Sequence, residues 1–101
     1  MHDLSDHDPY EAAASETVDL ANRLADQDRS ADLHDIADGL LAGAVHYWLY
    51  SRQPCGDPRC DECIPYSTAR ERTGELLTMI RELAESSEYY HSPNDTDVGR
   101  A

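Results

Sequence analysis

Apolar residues fall into three runs at helical spacing, separated by polar or turn-forming stretches. The central run is the most regular. Leu33, Ile36, Ala37, Leu40, Leu41, Ala44, Val45, Trp48 and Leu49 follow the i, i+3, i+4, i+7, i+8 pattern of an amphipathic helix. They predict a helix over about residues 31–52, with Ser30 as its cap. Before it, Asp8-Pro9-Tyr10-Glu11 has the form of a helix start: Asp as N-cap, Pro in the first turn, Glu at the third position. Ala14, Val18, Ala21 and Ala25 continue that helix to about residue 27, on a thin face that is mostly alanine. After the central run, Thr68-Ala69-Arg70-Glu71 forms a second start signal. Ala69, Thr73, Leu76, Ile80, Leu83 and Ser87 then make an a/d-like stripe over residues 68–87. The expected architecture is all-α: a three-helix domain over residues 1–87, helices two and three antiparallel, and a disordered or extended tail over 88–101.

The other face of the central helix carries Gly39, Gly43, His46 and Tyr50. A glycine inside a helix costs about 1 kcal/mol relative to alanine, so the pair predicts that something packs closely there. Residues 53–66 have the composition of a loop, with Pro54, Gly56, Pro58 and Pro65 spaced through it.

Composition tempers this picture. Leu, Ile and Val number sixteen, Phe is absent, and the net charge is −13, a combination for which disorder is the default. Eleven of the sixteen lie between Leu33 and Leu83, which predicts a compact centre with loose ends. So small a core calls for a metal, a disulfide or a second subunit. The helical stripes are long relative to the first helix's alanine face, and they point to a homodimer through helices.

All eight basic residues are arginine, against thirteen Asp and eight Glu, and residues 1–38 alone carry −9. Nucleic-acid affinity depends on basic residues displacing counterions, so direct nucleic-acid binding is not expected. The start of the chain is acidic where a secretory signal would be basic, and Leu40–Tyr50 is too short an apolar run to span a bilayer. Three cysteines cannot pair completely within one chain. These features predict a cytoplasmic protein with no membrane partner.

The segment Cys55-Gly56-Asp57-Pro58-Arg59-Cys60-Asp61-Glu62-Cys63 is where residue types demand chemistry. A C-x2-C pair brings two thiolates to one ion from a tight turn, and the Gly-Asp-Pro turn after Cys55 can return a third. Structural zinc takes four Cys or His ligands. His46, nine positions before Cys55, and His91, twenty-eight after Cys63, are the candidates for the fourth. His46 is favoured: it lies about 9 Å along the helix axis before Arg52, a span the chain can retrace, and Gly43 leaves room one turn earlier. The predicted site is Cys55, Cys60, Cys63 and His46, in the pattern H-x8-C-x4-C-x2-C. The loop resembles a knuckle-like or treble-clef-like zinc loop, over about a tenth of the chain.

Two other chemistries use the same residues. C-x4-C-x2-C is the spacing of plant-type ferredoxin loops, although their distant fourth cysteine is missing here. A thiol cluster can also act as a redox- or metal-responsive switch. No Walker loop, G-x-S-x-G or H-E-x-x-H is present, nor the deaminase pattern H-x-E…P-C-x-x-C. The expectation is a non-enzyme: a small acidic adaptor or regulatory protein, its protein partner unidentified, with structural zinc.

Overall fold

In the computed structural model of the chain, residues 8–57, 59–93 and 95 are described. They are helical, with no strand among them. The elements are α1 (Pro9–Gln27), α2 (Leu33–Ser51), a 3-10 helix η1 (Asp61–Tyr66) and α3 (Ala69–Ser86). The three amphipathic runs therefore become three α-helices, and the cysteines lie in the loop between the second and third. No described helix is long and apolar enough to cross a membrane.

The chain divides into two units at Tyr50–Ser51. In the first, the Asp8 carboxylate accepts from the Tyr10 N–H at 3.0 Å and starts α1. Ala12, Ala21 and Ala25 are half-buried on it, while Val18 is exposed. The entry to α2 differs from the expected one. Asp32, not Ser30, caps it: its carboxylate accepts from the His34 N–H at 3.0 Å, and its carbonyl from the Ile36 N–H. Ser30 is held by Asp28, which accepts from both its N–H and its hydroxyl. A carboxylate placed one residue before the first helical turn is the better acceptor for those free N–H groups.

The close approach predicted at the glycines of α2 is not formed. A Cβ built at Gly39 or Gly43 meets no atom within 4 Å. Tyr50 is 68% exposed, and its ring packs against Tyr47 at 5.6 Å between centroids.

In the second unit, η1 and α3 pack together. Part of the predicted loop is thus regular: Asp61–Tyr66 makes short-range turns that tolerate Pro65 within them. The capping box at Thr68 forms as expected. Its hydroxyl accepts from the Glu71 N–H at 3.1 Å, and the Glu71 carboxylate accepts from the Thr68 N–H at 3.2 Å. The covered face of α3 is rotated from the predicted stripe, however. Arg72, Leu76 and Met79 are half-buried, whereas Ile80 and Leu83 are exposed. The Arg72 guanidinium donates to the Tyr66 carbonyl at 3.0 Å, which turns that side of the first α3 turns toward η1.

After α3 the described residues close local turns, with Tyr90 N–H donating to the Ser87 carbonyl and Asp95 N–H to the Ser92 carbonyl. The remainder of the predicted tail lies outside the described residues. Tyr89 and Tyr90 remain exposed and do not fold onto a core. Among the described residues none is fully buried, although the Trp48 indole Nε1 is covered.

Candidate metal centre

The cysteine loop is shaped by its backbone. Gly56 has φ +96°, a left-handed conformation that a residue with a Cβ adopts at a cost, and it turns the chain immediately after Cys55. Asp57 holds the next turn from two sides. Its carboxylate accepts from the Arg59 N–H at 2.9 Å, and its carbonyl accepts from the Cys60 N–H at 3.0 Å. The Cys63 N–H then donates to the Cys60 carbonyl at 3.2 Å, leading into η1.

These turns place the metal-binding atoms of Cys55, Cys60 and Cys63 within 4.8 Å of one another. A tetrahedral ion with Zn–S bonds of about 2.3 Å holds its sulfurs about 3.8 Å apart. A contraction of about 1 Å at most would complete three corners. All three cysteines are free thiols, Cys55 exposed and the other two half-buried.

The loop also supplies donors to sulfur. The Cys55 N–H donates to the Cys63 Sγ at 3.4 Å. The Asp57 backbone N–H, followed by the Cys60 and Cys63 side chains, pulls the Cys55 thiol below its ordinary pKa. The Cys55 N–H acts in the same sense on Cys63, but the Cys60 side chain, burial and the Cys55 charge outweigh it and leave that thiol raised. Charge on Cys55 thus opposes ionisation of Cys63. A dication relieves this conflict, because it converts mutual repulsion among thiolates into shared attraction.

An open pocket of about 300 Å³ borders the cluster, lined by Pro54, Gly56, Asp57, Cys60, Cys63, Ile64 and Ser67. Behind it, the Ser67 hydroxyl donates to the Glu71 carboxylate at 2.9 Å. That bond, then burial opposing it and the Thr68 contacts supporting it, leaves Glu71 below the usual carboxylate range. The cysteine loop is therefore continuous with the start of α3 through η1, Ser67 and the capping box.

Among the described residues the ligand group consists of the three sulfurs. His46 is exposed on α2, in the first unit. His91 is exposed after α3, with its ring edge-on to Tyr90 at 4.8 Å. Sequence reasoning singled out the three cysteines but not the Asp57 and Ser67 contacts. The signal for Asp57 was present, since Asp after Gly is a turn former whose carboxylate reaches the N–H two residues on. Set against protein-family models, curated proteins and solved structures, the chain matches none of them. Function must therefore be argued from the chemistry of the loop.

Proposed function

We propose that this chain is a small acidic zinc-binding protein of adaptor or regulatory type, not an enzyme, in which one Zn²⁺ bound through Cys55, Cys60 and Cys63 stabilises the second unit. The observation that carries this reading is the convergence of three sulfurs within 4.8 Å. His46 is the proposed fourth ligand, giving three thiolates and one neutral imidazole with a net site charge of −1. Arg52 and Arg59 offset part of that charge. The metal's role is structural: it fixes the loop that leads into α3, while the acidic first helix faces a protein partner.

Metal analysis combined with native mass tests this directly. The expected result is one zinc per chain, lost in Cys60→Ser. His46→Ala weakens binding and His91→Ala does not. Retention of zinc in His46→Ala with loss in His91→Ala reassigns the fourth ligand, and a chain that binds no zinc when reduced ends the proposal.

A second reading draws on the exposure and lowered pKa of Cys55, which favour reaction with oxidants. In that reading the cluster is a thiol switch or holds an iron–sulfur cluster. A brown protein, or disulfide formation without prior metal loss, would favour it over structural zinc.

A further inference from the structure

The least charged stretch of the molecule lies on α2. Gly39 to Tyr50 contains no Asp, Glu, Lys or Arg, which is about 18 Å of helix at 1.5 Å per residue. On α1 and α3, by contrast, charged residues recur at intervals of no more than six. Along α2, Leu33, Ala37, Leu41, Ala44 and Trp48 fall on one line at spacings of four and three. Leu33 is 67% and Leu41 56% exposed, and both alanines are exposed as well. The uncharged stretch is bounded by an acid, Asp38, before it and a base, Arg52, just past the end of α2, half-buried and donating to the Ser51 hydroxyl.

We propose that this face is an interface between two copies of the chain, packed antiparallel across α2. Charge selects the occupant. A charged partner surface would lose water against a face that returns no counter-charge over twelve residues. Among the described helices the surface that matches that neutrality is α2 itself. Charge also selects the direction. About a two-fold axis near Val45, Asp38 of each copy lies opposite Arg52 of the other, and Leu41 opposite the Trp48–Leu49 region. A parallel pair would instead set Asp35 on Asp35 and Asp38 on Asp38. The two helices overlap over residues 39–51, where Ala44 lets them approach closely and Leu41 with Trp48 supplies the apolar area, while Leu33 and Ala37 lie beyond the overlap. The glycine face, with Gly39 and Gly43, points away from the contact.

Two chains of −13 repel each other wherever they are not in contact, so the dimer strengthens with added salt. Because Arg52 also offsets charge at the proposed metal site, zinc content is measured separately on each sample, and a variant that keeps its zinc reports on the interface alone. The test is sedimentation equilibrium of the full, zinc-treated chain at low and high salt, with helicity monitored by circular dichroism. The wild type is expected to be dimeric at micromolar concentration, more tightly so in high salt. Leu41→Glu should weaken association on the order of 100-fold, as expected for a leucine lost from each side of the contact. Asp38→Arg should also weaken it, although it makes each chain less negative, and Asp38→Arg with Arg52→Asp should restore it. The charge pair keeps the test decisive if Leu41→Glu loses helicity. A wild type that stays monomeric in high salt overturns the interface, as does a dimer indifferent to Leu41→Glu. A double reversal no better than its single variants overturns the antiparallel register.

Discussion

Both units of this chain are helical, but they are held by different means. In the first, the side-chain hydrogen bonds of Asp8, Thr17, Asp28 and Asp32 reach no further than four residues, and the apolar faces of its helices are at most half-buried. In the second, a Cys55–Cys63 contact closes eight residues and an Arg72–Tyr66 bond closes six. The sulfur cluster and the α3 cap lie along that same path. Helix formation alone thus leaves the apolar faces of the described helices at most half-buried. Where short, turn-rich spacing brings polar and sulfur atoms together, a defined site forms with little apolar burial. Where the pattern is only amphipathic, the apolar face needs a partner.

The strongest way to break this contrast is to remove a sulfur. Cys63→Ser should abolish stoichiometric zinc binding, since structural zinc contributes on the order of 10 kcal/mol in small modules and depends on its thiolates. Chelation of the wild type should have the same regional signature. Amide exchange should rise through residues 55–72 of the second unit and around His46 on α2, the proposed fourth ligand, and change little in α1. Equal loosening of both units would erase the distinction drawn here.

A smaller effect is expected at the junction between the site and α3. Thr68→Ala removes the hydroxyl that accepts from the Glu71 N–H and should cost about 1 kcal/mol. Hydrogen exchange should report this as fraying of the first turn of α3, with zinc stoichiometry retained. Gly43→Ala should act in the opposite direction in the first unit. The added Cβ meets open space, so α2 should gain up to about 1 kcal/mol in helix propensity. An unchanged or lower thermal midpoint would mean that something packs against that face in solution.

The smallest effect is a pH dependence at Glu71. Its folded pKa is lowered by the Ser67 hydroxyl first and by Thr68 as well. The stabilisation it gives is therefore fully present above its ordinary value of 4.5 and is lost as pH falls through the lower folded value. A carboxyl NMR titration should place its midpoint below 4.5. A midpoint at or above that value would show that the cap does not persist in solution.

Much of this could be read from the residues, for identifiable reasons. Helix positions followed from the period of Leu33 to Leu49 and from the signals at Asp8-Pro9 and Thr68–Glu71, because these are local and chemically specific. The cap of α2 was misplaced by two residues, since Ser30 and Asp32 are both good caps and only the course of the turn decides between them. The covered face of α3 was misjudged because an arginine, not an aliphatic, turns it toward η1. Periodicity of apolar residues does not register such a contact. The three cysteines stood out by type and spacing. The bonds that gather them come from backbone N–H groups and an Asp carboxylate, which any sequence can supply and only the loop conformation reveals.

The central claim is that three sulfurs of this loop hold one metal ion. Zinc K-edge X-ray absorption on the reduced, zinc-loaded full chain measures it directly. The expected first shell is three sulfurs at about 2.3 Å and one nitrogen at about 2.0–2.1 Å, the sulfur count falling by one in Cys60→Ser. A shell of oxygen and nitrogen alone, or one unchanged by Cys60→Ser, would contradict the account.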